Sequence, residues 1–439
     1  MRKKKNAFTL IELLAVIVIL AVILVIAIPR ILDVIETSKK DSFKTSAQII
    51  ADSAEKKYVE NKLNNIDEEI TCENVTKLSK EDYESCKITF DSEGNAKVSI
   101  TGKGKFDGLK ITNGTKENAE VIEITKPTYG MKATEYITNL LEYNGEGLKK
   151  DNTPDQNIRY YGSNPNNYVL FNNELWRIIG VFGSNVKLIR NEKLGNLSWD
   201  SSESSINRGY GVNEWSQADL KNYLNTMYYE GTSVTCYNEK NNQTTTCPAN
   251  KLDETSKSLI DNHTWNIGAI DKTDTTIVNP ETFAINTVSF YKAERGTTNG
   301  KICNGRDACN DTVTRTTEWT GYIGLPYPTD YAYASSESDC ETNMNAGDID
   351  FDNGIFNMTC KKNNWMHHGT TMEIEDATWF MSPVADPDYA ANVWYVLGGG
   401  LTNDSCAAYP FSAFPTIYLK SNIIIESGKG TSSDPYILK

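Results

Sequence analysis

Histidine is nearly absent from this chain: His263, His367 and His368 are the three in 439 residues. The adjacent pair His367 and His368 would point to opposite sides of a strand, which argues against a shared metal ion. Nine cysteines are present, yet none forms a CxxC pair, so zinc-ribbon chemistry has no support. There is no GxSxG, no P-loop and no HExxH. Basic residues are outnumbered, 44 Lys and Arg against 58 Asp and Glu, for a net charge of -14. Phosphate contacts need clustered Lys and Arg, so general nucleic-acid binding is not expected. With these absences no catalytic residues are assigned, and the chain is expected not to be an enzyme.

One long uncharged apolar run exists, LLAVIVILAVILVIAI, from Leu13 to Ile28. With Phe8 to Glu12 included, the stretch is close to the roughly 20 residues that span a bilayer as helix. Arg2, Lys3, Lys4 and Lys5 precede it and should stay cytoplasmic. A secretory signal would need an A-x-A site after the run. Here the run ends in AIPR and continues as helix. Glu12 is the anomaly, because a charge at bilayer depth costs about 3 kcal/mol on insertion scales. Such a carboxylate is tolerated when it finds a partner.

"KKKNA" followed by "FTLIELLAVIVIL" resembles the type IV prepilin signature. The resemblance implies a leader of residues 1–7, cut by a prepilin peptidase between Ala7 and Phe8, with Phe8 methylated. Ala7 stands where most of that family has Gly. Glu12 would then face the N-terminal amine of a neighbouring pilin subunit and set register. Pro29 removes one helical hydrogen bond and is expected to kink or locally melt the helix. Past it, Phe43, Ala47, Ile50, Ala54 and Tyr58 share one helical face. The N-terminal helix is therefore expected over 8–62, with 8–28 as transmembrane segment and filament core.

Residues 63–126 read as a small β unit. KITF and AKVSI alternate, and Ser92-Glu93-Gly94-Asn95 supplies a hairpin turn. Lys126-Pro127 breaks the pattern. All eight tryptophans lie at or beyond residue 176, and two of 23 tyrosines, Tyr58 and Tyr83, precede residue 127. A second domain is placed at 127–439. It is expected to begin with a helix near 131–143 and a linker or long loop over 144–167. "ELWRIIGVF", "NVKLIRNE", "VWYVLGGG" and "PTIYLKSNIII" read as strands. "SQADLKNYLNTMYYE" reads as a helix capped by Ser216. The fold class is α+β: a long N-terminal helix on a small antiparallel sheet, then a large strand- and loop-rich domain.

Eight cysteines fall into local couples, Cys72/Cys86, Cys236/Cys247, Cys303/Cys309 and Cys340/Cys360. In an exported chain these are disulfide candidates, although sequence leaves the connectivity open. Cys406 is left over. "NAGDIDFDNG" places Asp348, Asp350 and Asp352 at alternate positions, a spacing that can wrap Ca²⁺. An EF-hand is not expected, because Asn353 and Thr359 occupy its Gly and Glu places. A looser calcium loop makes Ca²⁺ the one candidate cofactor.

"LWRIIGVFGSNVKLIRNE", "WNIGAI", "GYIGLPYPTDYAYASSES" and "WFMSPV" resemble an extracellular module of Gram-positive surface proteins, similar to C-type-lectin-like and formylglycine-generating-enzyme-like folds. That resemblance implies a glycan or a host surface protein as partner. The expected function is a type IV pilin-like filament subunit, minor or at the tip, displaying a large binding domain. It would be a single-pass membrane precursor with a cytoplasmic N-terminus, then part of a surface filament. The alternatives are a membrane-anchored surface protein that never polymerises, and a pseudopilin of a type II secretion or DNA-uptake system.

Overall fold

The computed structural model describes residues 10–439 apart from 77–78, 80, 144, 146, 203–210, 238–243, 246, 249–250, 296–312, 314, 351–354, 370–376 and 387–390. The chain forms two compact units, one of residues 1–126 with 142–144 and one of 127–141 with 145–439. Secondary structure mixes helix and strand throughout, as an α+β fold.

In the first unit α1 runs unbroken from Leu10 to Asn64. The helix passes through Pro29 without melting. A proline deletes one backbone donor, and the bonds on either side hold the turn. Asn65 ends the helix with φ +54°, the left-handed conformation that asparagine tolerates. The predicted face is the buried one: Phe43, Ala47, Ile50 and Ala54 are each at most 1% exposed. It packs on a four-stranded antiparallel sheet of β1 (Tyr83–Phe90), β2 (Ala96–Gly102), β3 (Leu109–Gly114) and β4 (Ile122–Glu123), in that order. Val98, Ile100 and Ile111 supply the opposing layer. Tyr58 stacks on Phe90 with ring centroids 4.7 Å apart. The β1–β2 turn is held by Asp91, whose Oδ1 accepts from the backbone N–H of Glu93 and Asn95. Cys72 and Cys86 form a disulfide that ties the short helix α2 (Cys72–Val75) to β1.

The second unit opens with residues 127–132 and the helix α3 (Ala133–Tyr143), of which it includes the residues up to Leu141. Its larger sheet is built on β8 (Glu174–Phe182), flanked by β7 (Tyr168–Phe171) and β9 (Asn185–Arg190). Strands Thr416–Tyr418 and Ile323–Gly324 extend it beyond β9; Tyr436–Leu438 and Ile425–Ser427 extend it beyond β7. Ile178 and Ile179 of β8 are each 1% exposed, so both faces of this strand are covered. A second sheet orders Gly195–Ser198, Pro410–Ala413, Thr378–Ala385, Asn392–Val396 and Thr402–Cys406.

Two expectations fail here. The described part of 144–167 is not a linker: it carries β5 (Leu148–Lys150) and β6 (Ile158–Tyr160), and β6 pairs with β8. Asp151, Thr153 and Asn157 of this stretch are buried and bond one another inside the protein. Gly180 permits the crossing of β6, since a Cβ there would meet the Ile158 carbonyl oxygen at 2.0 Å. The helix after residue 215 also differs. Glu214, not Ser216, accepts the first bond, from Ser216 N, and opens a 3₁₀ turn over Trp215–Gln217. An α-helical turn Asp219–Asn222 then widens into a π-helix, Tyr223–Tyr229. The wider turn brings Tyr228 into the core beside Tyr223 and Leu224, and leaves Met227 half-buried.

Cys236–Cys247 and Cys340–Cys360 are also disulfides. Cys303 and Cys309 lie outside the described residues. Cys340 and Cys360 are fully buried and 20 residues apart in sequence. Removing that bridge with Cys340→Ala and Cys360→Ala is expected to lower stability by roughly 3 kcal/mol, the loop-closure value for such a loop. Denaturant titration of the double variant checks this. An unchanged midpoint would mean that the surrounding packing alone holds the segment.

Candidate functional site

Two places in the chain put side chains where a folded protein ordinarily does not. The first is the N-terminal half of α1. Among the described side chains, fourteen large apolar residues between Leu10 and Ile35 are exposed, from Ile28 at 47% to Leu10 at 83%. Soluble monomers rarely expose a contiguous apolar patch of this extent. The helix stays regular because every backbone bond is internal to it, whatever surrounds it. Among the described residues, no helix is long and apolar enough to cross a membrane. Glu12 lies on α1, and its side chain and that of Pro29 are outside the described set, as are Ala7 and Phe8 entirely.

The second place is a buried charge cluster in the second unit, which sequence reasoning missed. Asp151 sits at the end of β5, and its carboxylate accepts five bonds. Thr153 N, Thr153 Oγ1 and Asn157 N donate to Oδ1; Asn157 Nδ2 and Arg159 Nε donate to Oδ2. Arg159, on β6, also donates from Nη1 to Asp330 Oδ1 at 2.6 Å. Lys187, on β9, donates from Nζ to Asp330 Oδ2 at 2.5 Å. Asp330 belongs to the short helix Pro328–Ala334, and its Oδ2 also accepts from Tyr327 N. The four side chains are at most 1% exposed.

Electrostatics in the cluster are asymmetric. Burial pushes the Asp330 carboxyl up, but Lys187 and Arg159 outweigh it and hold it below the usual range. Burial pushes the Lys187 ammonium down to about 8, against the pull of Asp330. The two partners also differ in their hydrogen bonds. The carboxylate has three donors, whereas the ammonium has three hydrogens and one hydrogen-bond acceptor among the described residues. The rings of Tyr327, Tyr418, Phe182 and Trp265 surround Nζ at 4.4 to 5.6 Å. Glu294 is fully buried beside this group, where Thr329 and Arg295 bond it. A polar cavity of about 380 Å³, lined by Asn157, His263, Tyr291, Arg295, Tyr327 and Tyr418, opens next to it.

The acidic motif forms no site among the described residues. Gly347–Asp350 pairs antiparallel with Ile355–Met358, and Asp348 is exposed opposite Asn357. The Asp350 side chain and all of Asp352 lie outside the described set. Among the described residues no three His, Cys, Asp or Glu are grouped to hold a metal ion.

A faint sequence signal for the buried cluster existed. VKLI and IRYY each set one cation, Lys187 and Arg159, between apolar residues of a strand, the same anomaly as Glu12 in its helix. No curated protein and no solved structure matches the chain. The family profile described as the prokaryotic N-terminal methylation motif matches residues 2–28, and over that segment the chain is similar to type IV pilin precursors.

Proposed function

We propose that this chain is a type IV pilin-like subunit that assembles through α1 and displays residues 127–439 as a large head. The observation that carries this reading is the row of exposed apolar residues from Leu10 to Ile35, most of which lies within the methylation motif of residues 2–28. Fully burying one such side chain is worth roughly 1.5–3 kcal/mol, so the free helix is strongly driven into lipid or against other helices. In the precursor, residues 8–28 lie in the membrane with residues 1–7 cytoplasmic. Prepilin peptidase cuts before Phe8, and the helices of neighbouring subunits then replace lipid. The head, with more than 300 of the 439 residues, is too bulky for every repeat of a filament, which favours a minor or tip position. Its role is structural display or adhesion to a glycan or host protein, without catalysis.

Intact mass spectrometry on material sheared from cells tests this. The expected chain begins at Phe8 and is one methyl group heavier than its sequence. A chain that still begins at Met1 and is confined to membranes would make the protein a signal-anchored surface protein. Processed chains that never appear in sheared material would point to a pseudopilin.

A further inference from the structure

We propose that Lys187 and Asp330 condense into an intramolecular amide, with Lys187 Nζ bonded to Asp330 Cγ. Four observations support the bond. Nζ and Oδ2 are 2.5 Å apart, and both side chains are fully buried. Nζ is under-satisfied as an ammonium, with three hydrogens for one accepting oxygen, whereas an amide nitrogen there carries a single hydrogen. The rings of Trp265, Tyr327 and Tyr418 lie around Nζ and offer it no further oxygen acceptor, although Tyr327 and Tyr418 also border the polar cavity on their other side. Finally, the carboxylate is already polarised, by Arg159 Nη1 on Oδ1 at 2.6 Å and by Tyr327 N on Oδ2 at 2.9 Å.

The step balances within the pair. Nζ passes a proton to Oδ2 and, as a neutral amine, attacks Cγ. The developing oxyanion on Oδ1 faces the Arg159 guanidinium, placed as an oxyanion-hole donor would be. The Nζ–Cγ bond forms and the Cγ–Oδ2 bond breaks. Oδ2 leaves as water with two of the three ammonium hydrogens. No oxidant or outside proton is needed. Two buried charges disappear, and Arg159 keeps Asp151 as its counter-ion, so the cluster stays neutral. Removing desolvated charges is the favourable direction in such a site. The product ties β9 to the helix Pro328–Ala334 across 143 residues of chain.

Peptide mapping of the purified, reduced full-length chain tests the bond directly, and it does not depend on how the N-terminus is processed. The expected result is a branched species joining the Lys187 and Asp330 peptides, lighter than their sum by one water, in most molecules. Lys187→Arg keeps the positive charge but is expected to abolish the branched species. Recovery of both residues in separate linear peptides from most wild-type molecules overturns the proposal. Should the variant fail to fold, the wild-type map alone is decisive.

Discussion

Arg159→Met lowers the stability of the second unit by roughly 3–5 kcal/mol, the usual cost of removing one partner from a buried ionic group. The methionine fills much of the volume, so the loss is mainly electrostatic. Asp151 is left with its hydroxyl and amide donors but no cation. All eight tryptophans lie at or beyond Trp176, so fluorescence during denaturant unfolding reports this unit and not the first. A loss under about 1 kcal/mol would show that the pair merely offsets its own desolvation. The pH dependence has a definite sign. Burial pushes the Asp151 carboxyl up, but Arg159 and the neighbouring donors hold it below its ordinary value. A depressed carboxyl pKa contributes stability that is present above the unfolded value, near 4, and is lost as pH falls through the folded value. The wild-type chain should therefore lose stability steeply below about pH 4. The variant should have a shallower acid limb, because the cation that holds Asp151 down is gone. An acid limb of unchanged slope would mean that the hydroxyl and amide donors dominate.

Glu12→Ala is expected to leave the subunit in the membrane fraction and to reduce its amount in sheared filaments at least about tenfold. Truncating one partner of a buried interfacial charge pair costs roughly 2–5 kcal/mol, more than the 1.4 kcal/mol of a tenfold change. The alanine itself favours helix and lipid, so membrane retention should be equal or better. Glu12→Gln keeps hydrogen bonding without charge and should fall between the two. Equal amounts of wild type and Glu12→Ala in both fractions would remove the assembly role of this carboxylate. Loss from both fractions would instead indicate a defect in insertion.

The signals that could be read without coordinates were those carried by local periodicity. Phe43, Ala47, Ile50 and Ala54 recur at helical spacing, and that spacing alone places them on one buried face. KITF and AKVSI alternate at period two around a Gly-Asn turn, which is sufficient for a hairpin. ELWRIIGVF is apolar on both faces, as a covered central strand must be. The misreadings share a different origin. Residues 144–167 have the composition of a solvated loop, but Asp151, Thr153 and Asn157 satisfy one another, a fact that no window of sequence contains. Glu214 displaced Ser216 as the capping group, because the choice between neighbouring acceptors depends on where the core holds Trp215.

By itself, the sequence determined the methylation motif, the length and amphipathic face of α1, the first hairpin and the identity of the main strands. These depend on residues within a few turns or a few rungs of one another. Only the tertiary structure decided that Asp151, Arg159, Lys187 and Asp330 meet. They come from β5, β6, β9 and a short helix separated by up to 179 positions, so their encounter depends on strand order and not on any local preference. Burial then turned four ordinary surface-type residues into a group whose charges must be balanced among themselves, since water no longer reaches them.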